Sequence, residues 1–113
     1  MRVSIVIPYH DMPNGAFFLK RCIDSIMSQT YKNYEIVLTK DGKAAKNTNE
    51  AIKRATGDLI KVLHMDDYLA HKDSLQGIVD AFKGYWLVTG CAHDDGNVSR
   101  PHYPVFSRTE NTI

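Results

Sequence analysis

A chain of 113 residues and 12.8 kDa is the size of one ordinary domain, able to bury a single core with little room for a second lobe. With 43% hydrophobic and 24% charged residues, the composition excludes a disordered or fibrous chain. Fourteen basic against 13 acidic side chains leave a net charge of +1, so no global field gathers nucleic acid or an anionic membrane, and any anion must be bound locally.

The apolar run that begins the chain is too short for a secretory signal, and no stretch reaches membrane-spanning length. Cys22 and Cys91 show neither metal nor redox spacing, and Cys22 falls in an apolar helical pattern, as a buried reduced thiol does. Together these features predict a cytoplasmic protein with no integral membrane segment. Association through a partner or a lipid-linked acceptor stays open.

Val3 to Ile7 is a β-branched run closed by Pro8, the pattern of a buried strand. After a loop with Pro13, Asn14 and Gly15, the pairs Phe18/Leu19, Cys22/Ile23 and Ile26/Met27 place an apolar stripe on a helix. Tyr34 to Thr39 reads as a second strand, punctuated by Asp41-Gly42. A short helix from about Ala44 turns Ala45, Ala51, Ile52 and Ala55 inward, with Gly57 as its C-terminal cap. Leu59 to His64 is the third strand. Leu75, Ile78, Val79 and Phe82 mark another helix, begun by Asp73 or Ser74 and closed near Gly84. Beyond it, Tyr85 to Thr89 reads as a strand and Asp94 to Asn97 as a hairpin turn toward Val98, and residues 100–113 show no firm element.

Strands alternating with helices of this length predict an α/β fold built from parallel β-α-β units, a mostly parallel sheet with helices on both faces. The expectation is one minimal domain over residues 1–113, with a core at 1–70 and a helix, a strand and an irregular part at 71–113. Ligands in such sheets gather at the carboxyl ends of the strands. Those ends carry Pro8-Tyr9-His10-Asp11, Lys40-Asp41-Gly42 and His64-Met65-Asp66-Asp67, so three separated segments converge on one candidate site.

Asp66 and Asp67 are the sharpest signal, because paired hard oxygen donors after an apolar strand suit Mg²⁺ or Mn²⁺ bridging to a nucleotide's phosphates. An Asp-Asp pair is equally a turn that caps the following helix. Asp41, a pure acceptor when ionised, suits a base N–H or a ribose hydroxyl, and Asp-Gly is also a common turn. Tyr9 offers either a ring against a base or a core edge. Lys43 and Lys46 are placed to neutralise a diphosphate, or are simply solvated, and Asn47 and Asn49 to position their segment. His64, His71, His93 and His102 lack zinc-ligand spacing. No GxGxxG, GxxxxGK[ST] or GxSxG motif occurs, so dinucleotide, P-loop and hydrolase chemistries lack their parts.

Five blocks in order resemble family 2 glycosyltransferases of GT-A fold. They are Val3 to His10; Cys22 to Tyr31 with Asn33 to Val37; Lys40-Asp41-Gly42; Ala45-Lys46-Asn47 through Ala55 to Ile60; and Leu63 to Leu69. The resemblance covers about residues 3 to 70, the nucleotide-sugar-binding half, and the chain reads as truncated. It implies a nucleotide-sugar donor, usually uridine-linked, a divalent Mn²⁺ or Mg²⁺, and inverting transfer to a glycan, lipid or protein acceptor. Carried over by residue, Pro8 and Tyr9 border the base beside His10, Asp41 meets the uracil, and Asp66 with Asp67 serves ribose and metal in a DXD-like role. His64 stands where the family often has Asp. The segment after Asp41 is short and lacks an arginine near the phosphates, for which Lys43 or Lys46 substitutes. The acceptor half has no counterpart, and Asp94, Asp95 and Glu110 are the candidates for the missing catalytic base, with no motif selecting one.

Three functions follow as expectations: a very small metal-dependent glycosyltransferase, whole or one half of a split enzyme; a non-catalytic nucleotide-sugar-binding module; and a nucleotidyltransferase-like enzyme, which would want a basic cluster this chain lacks. An apolar surface around Tyr85, Trp86, Tyr103 and Phe106 is expected to make the chain a homo-oligomer or pair it with a partner chain.

Overall fold

The structure, a computed structural model, describes residues 1–40 and 42–84 and the backbone of residues 87–89 and 103–107. In chain order the elements are β1 (Val3–Pro8), α1 (Gly15–Met27), β2 (Tyr34–Thr39), α2 (Ala44–Arg54), β3 (Leu59–Val62), α3 (Ser74–Ala81), β4 (Leu87–Thr89) and β5 (Tyr103–Ser107). They form one five-stranded sheet ordered β2-β1-β3-β5-β4. β1 pairs in parallel with β2 and with β3, as the β-α-β reading requires. The other half of the sheet is antiparallel, with β5 inserted between β3 and β4.

Alternation along β1 explains the two-faced core, because successive side chains leave opposite faces of a strand. Val3, Ile5 and Ile7 point to the face covered by α1 and α3, where Cys22, Ile26, Leu75 and Ile78 complete the larger cluster. Val6 points to the other face and meets Ala51 of α2 and Ala55 just after it, with Ile60 and Val62 of β3. Helices therefore cover both faces. Every residue of β1 is buried, which is why this strand reads as a continuous apolar run rather than an alternating one.

The structure corrects several local readings. β3 ends at Val62, and the next residues leave the sheet as the loop that carries Asp66 and Asp67. Ala45 is exposed on the first turn of α2, and Met27 is 60% exposed at the end of α1, where the helix has passed the edge of the core. Gly57 is no helix cap: α2 closes at Ala55, and Gly57 instead lies where a β-carbon would meet Ser4 Oγ at 2.6 Å, Arg2 O at 2.8 Å and Ser4 N at 2.8 Å. β5 was unforeseen, since Pro104 inside it argues against a strand by removing a ladder donor. The readings placed on Tyr85, Trp86 and residues 90–102, including the hairpin turn, lie outside the described residues, as do the side chains of Tyr103 and Phe106.

Candidate functional site

Polar groups cannot be left at a sheet's carboxyl ends without partners or solvent, and here they face a cavity of about 350 Å³. Pro8 and His10 line it after β1, Gly42, Ala44, Asn47 and Thr48 at the start of α2, and His64, Met65 and Asp66 after β3. Of the residues singled out in the sequence, Pro8, His10, Asn47, His64 and Asp66 thus come together around one space. Lys46 is exposed on α2 near its mouth, its Cδ 4.0 Å from where a β-carbon on Gly42 would stand. Gly42 has a φ of 65°, a left-handed conformation that glycine adopts without strain. Asp67 is half-buried behind Asp66, and its backbone N–H donates to His64 O at 2.9 Å. Asp41, Asp94, Asp95, Glu110, His93, His102 and Cys91 lie outside the described residues.

Tyr9 takes the core-edge alternative: its ring packs against the larger core cluster, while its backbone serves the site's framework. Its N–H donates to Thr39 O at 2.9 Å, and its carbonyl accepts the Asn47 side-chain amide at 3.0 Å. Asn47 is 4% exposed, and its own carbonyl accepts Thr39 Oγ1 at 3.0 Å. One buried residue therefore ties α2 to the ends of β1 and β2, through its side-chain amide and its backbone carbonyl, which is the positioning role its place after Lys46 suggested.

The Asp66-Asp67 turn does not cap a helix. α3 starts only at Ser74, and its N-cap residue Asp73 accepts Thr30 Oγ1 at 2.7 Å instead of capping its own helix. The loop from His64 to Ser74 is lashed to α1 by residues whose roles the sequence did not disclose. Ser25 Oγ accepts Leu69 N–H at 3.0 Å, and Gln29, 1% exposed, donates to His71 O at 2.8 Å and accepts Leu75 N–H at 3.0 Å. Arg21 Nη2 donates to Asp66 O at 3.0 Å. A signal was available for Gln29: it continues the buried stripe of Cys22 and Ile26, and a polar residue on such a stripe must find partners.

Beneath this loop Cys22 is fully buried, and its Sγ donates to His64 O at 3.8 Å. Burial pushes its thiol up to about 12, with the neighbouring Asp67 carboxylate adding to the effect, so it is an inert core thiol rather than a nucleophile. Just past the ends of β1 and β2, Lys40 Nζ meets Asp11 Oδ1 at 2.8 Å. A bond to Lys40 and its charge hold the Asp11 carboxyl below the usual range.

Three parallel strands with helices on both faces and a cavity at their carboxyl ends define a GT-A-like α/β fold, and comparison with known proteins agrees. Residues 4–48 match the profile of the family described as Glycosyl transferase family 2. A protein of Rickettsia bellii described as an uncharacterized glycosyltransferase is 40% identical over 65 residues, 58% of this chain and 9% of that protein. One from Rickettsia prowazekii, described likewise, is 42% identical over 65 residues and 19% of its length. Glycosyltransferase GlyA of Streptococcus pneumoniae is 42% identical over 41 residues, 36% of this chain and 6% of that one. The chain thus spans a small part of the curated relatives it matches. Among solved structures, Staphylococcus aureus TarS residues 1–349 superimposes with a TM-score of 0.63 at 19% identity, over 71% of this chain and 32% of TarS. TarS in complex with UDP gives 0.60 at 18% identity, over 71% and 31%. The fold is that of the GT-A glycosyltransferases. None of the helices among the described residues is long and apolar enough to cross a membrane.

Proposed function

We propose that this chain binds a uridine diphosphate sugar at the carboxyl ends of β1, β2 and β3 and is the donor-binding part of an inverting glycosyltransferase. The observation that supports this most is the cavity that brings Pro8, His10, Asn47 and Asp66 from three chain segments to one place, in a fold shared with a protein solved with UDP. Pro8 borders the base, with Tyr9 and Asn47 holding that edge in place, and Asp41 accepts from the uracil. Asp66 serves the ribose, and His10 with Lys46 flanks the phosphates.

A divalent cation fits the donor set, because Asp66 and Asp67 are hard oxygen ligands on one turn beside the cavity. Among the described residues no group of three or more His, Cys, Asp or Glu converges, so phosphate oxygens and water would complete the shell. Bound there, Mn²⁺ or Mg²⁺ supplies a Lewis acid for the departing diphosphate. The carboxylates alone would repel a diphosphate, which makes donor binding metal-dependent. The acceptor, the sugar and the base that deprotonates the acceptor hydroxyl belong to the whole protein, for which Asp94 and Asp95 remain the candidates.

Calorimetry with UDP, in Mn²⁺ and in chelator, tests the reading. UDP is expected to bind better than ADP or GDP, and far more weakly in chelator than in Mn²⁺. Asp67→Asn should weaken binding in Mn²⁺ by about 1–3 kcal/mol and Asp66→Asn by less, the two effects not adding because both act on one complex. Equal affinity for all three nucleotides, or no effect of chelator, overturns it. Release of UDP from a UDP-sugar separates an enzyme from a binding module, and release only after a second chain is added marks a split enzyme.

A further inference from the structure

Arg21 occupies an unusual position for a residue of a surface helix. Its guanidinium carbon lies 4.4 Å from the centroid of the Tyr68 ring and 5.3 Å from that of Phe18, so its charge is held between α1 and the loop after β3. Nη2 donates to the backbone carbonyl of Asp66 at 3.0 Å. Nε is buried without a hydrogen-bond partner, a cost that a side chain placed only for solubility would avoid by turning outward. The guanidinium is therefore committed to the Asp66–Tyr68 turn twice: one N–H grips the turn's backbone, and the charge lies over the ring of the turn's aromatic residue.

That grip bears on the two carboxylates. Asp66 has a backbone held from the α1 side and a side chain at the cavity, so the bond to its carbonyl fixes which way the residue faces. Lysine does not replace this, since a compact ammonium neither stacks as a plane nor forks.

We propose that Arg21 is a positioning residue, a clamp on the Asp66-Asp67 turn that holds the two carboxylates in the geometry needed to bind a divalent cation with a nucleoside diphosphate. This rests on the donor-site reading above and adds a residue of α1, outside the cavity, to the machinery.

The test uses Arg21→Gln and Arg21→Lys with UDP as the probe, each titrated calorimetrically in Mn²⁺ and in chelator, beside thermal melts without ligand. In Mn²⁺, Arg21→Gln is expected to weaken UDP roughly tenfold, as loss of a residue orienting metal ligands does, and Arg21→Lys by less. In chelator all three proteins should share the same weak affinity. A merely structural role would lower the melting temperature and leave affinity in Mn²⁺ within about twofold of wild type, which overturns the proposal. Amide hydrogen exchange of residues 66–69 gives a reading independent of nucleotide: it should quicken in Arg21→Gln while α1 keeps its protection. If wild type fails to bind UDP, the donor reading falls and exchange decides the clamp, with unchanged rates at 66–69 overturning it.

Discussion

The two ends of the parallel strands are built on opposite plans. At the amino ends a network of hydrogen bonds joins the strands to the turn before β3. Glu35 accepts from Ser4 Oγ, from Thr56 N at 2.6 Å and from Thr56 Oγ1 at 2.8 Å, Gly57 N donates to Ser4 Oγ at 2.7 Å, and Asp58 Oδ2 accepts Arg2 N at 2.9 Å. At the carboxyl ends the framework bonds of Asn47, Gln29 and Arg21 stand one layer back, and His10, His64 and Asp66 line a cavity. One end ties the sheet together, and the other borders the cavity proposed to take the nucleotide. Mutations should accordingly separate: those at the closed end should change stability with little change in nucleotide affinity, and those at the open end the reverse.

The largest expected effect is at Gly57. A β-carbon there meets two backbone atoms at 2.8 Å, which cannot yield as a flexible side chain does, so Gly57→Ala should cost about 3 kcal/mol in urea denaturation. Wild-type stability in that variant would remove the closed end's tightest contact from the argument.

Glu35 comes next. Its side chain is 18% exposed, and partial burial pushes its carboxyl up, but the bonds from Ser4 and Thr56 and the charge of Arg2 outweigh this and hold it below the ordinary value of 4.5. A depressed folded pKa means stability that is fully present above the unfolded value and is lost as pH falls through the folded one. Acid titration of stability should show that loss in wild type below about pH 4.5, and Glu35→Gln should flatten it while costing about 1–2 kcal/mol at neutral pH. A wild-type curve with no decline in this window would deny the network its charge.

At the open end the expected effects on stability shrink. Asp66 is exposed, so Asp66→Asn should leave the denaturation midpoint within about 0.5 kcal/mol of wild type while still weakening UDP in Mn²⁺. A large stability loss would mean that this carboxylate is structural. Smallest of all is the Lys40–Asp11 pair, in which Asp11 is 93% exposed: Asp11→Asn should leave the melting temperature unchanged, since solvent and salt screen such a pair.

The sequence disclosed whatever depends on local pattern. β1, β2 and β3 announced themselves as short apolar runs, and the three helices by stripes such as Cys22/Ile26 and Leu75/Ile78, because burial against a sheet imposes the helical period directly on the chain. The convergence of Pro8, His10 and Asp66 followed as well, since parallel strands deliver their carboxyl ends to one edge. What only the tertiary structure decided was long-range. Gly57 after a helix has the local look of a cap, and its true constraint comes from Ser4 and Arg2, more than 50 residues away in sequence. Pro104 disfavours a strand on its own, yet its segment pairs with β3 on one side and β4 on the other, because ladder bonds from two neighbours outweigh one missing donor. Arg21 looks like any charged residue on a helix surface until Tyr68 and Asp66 are folded against it. Periodicity records which face of an element is buried, but not which distant backbone arrives there, and the clamp, the close approach and the inserted strand all depend on the latter.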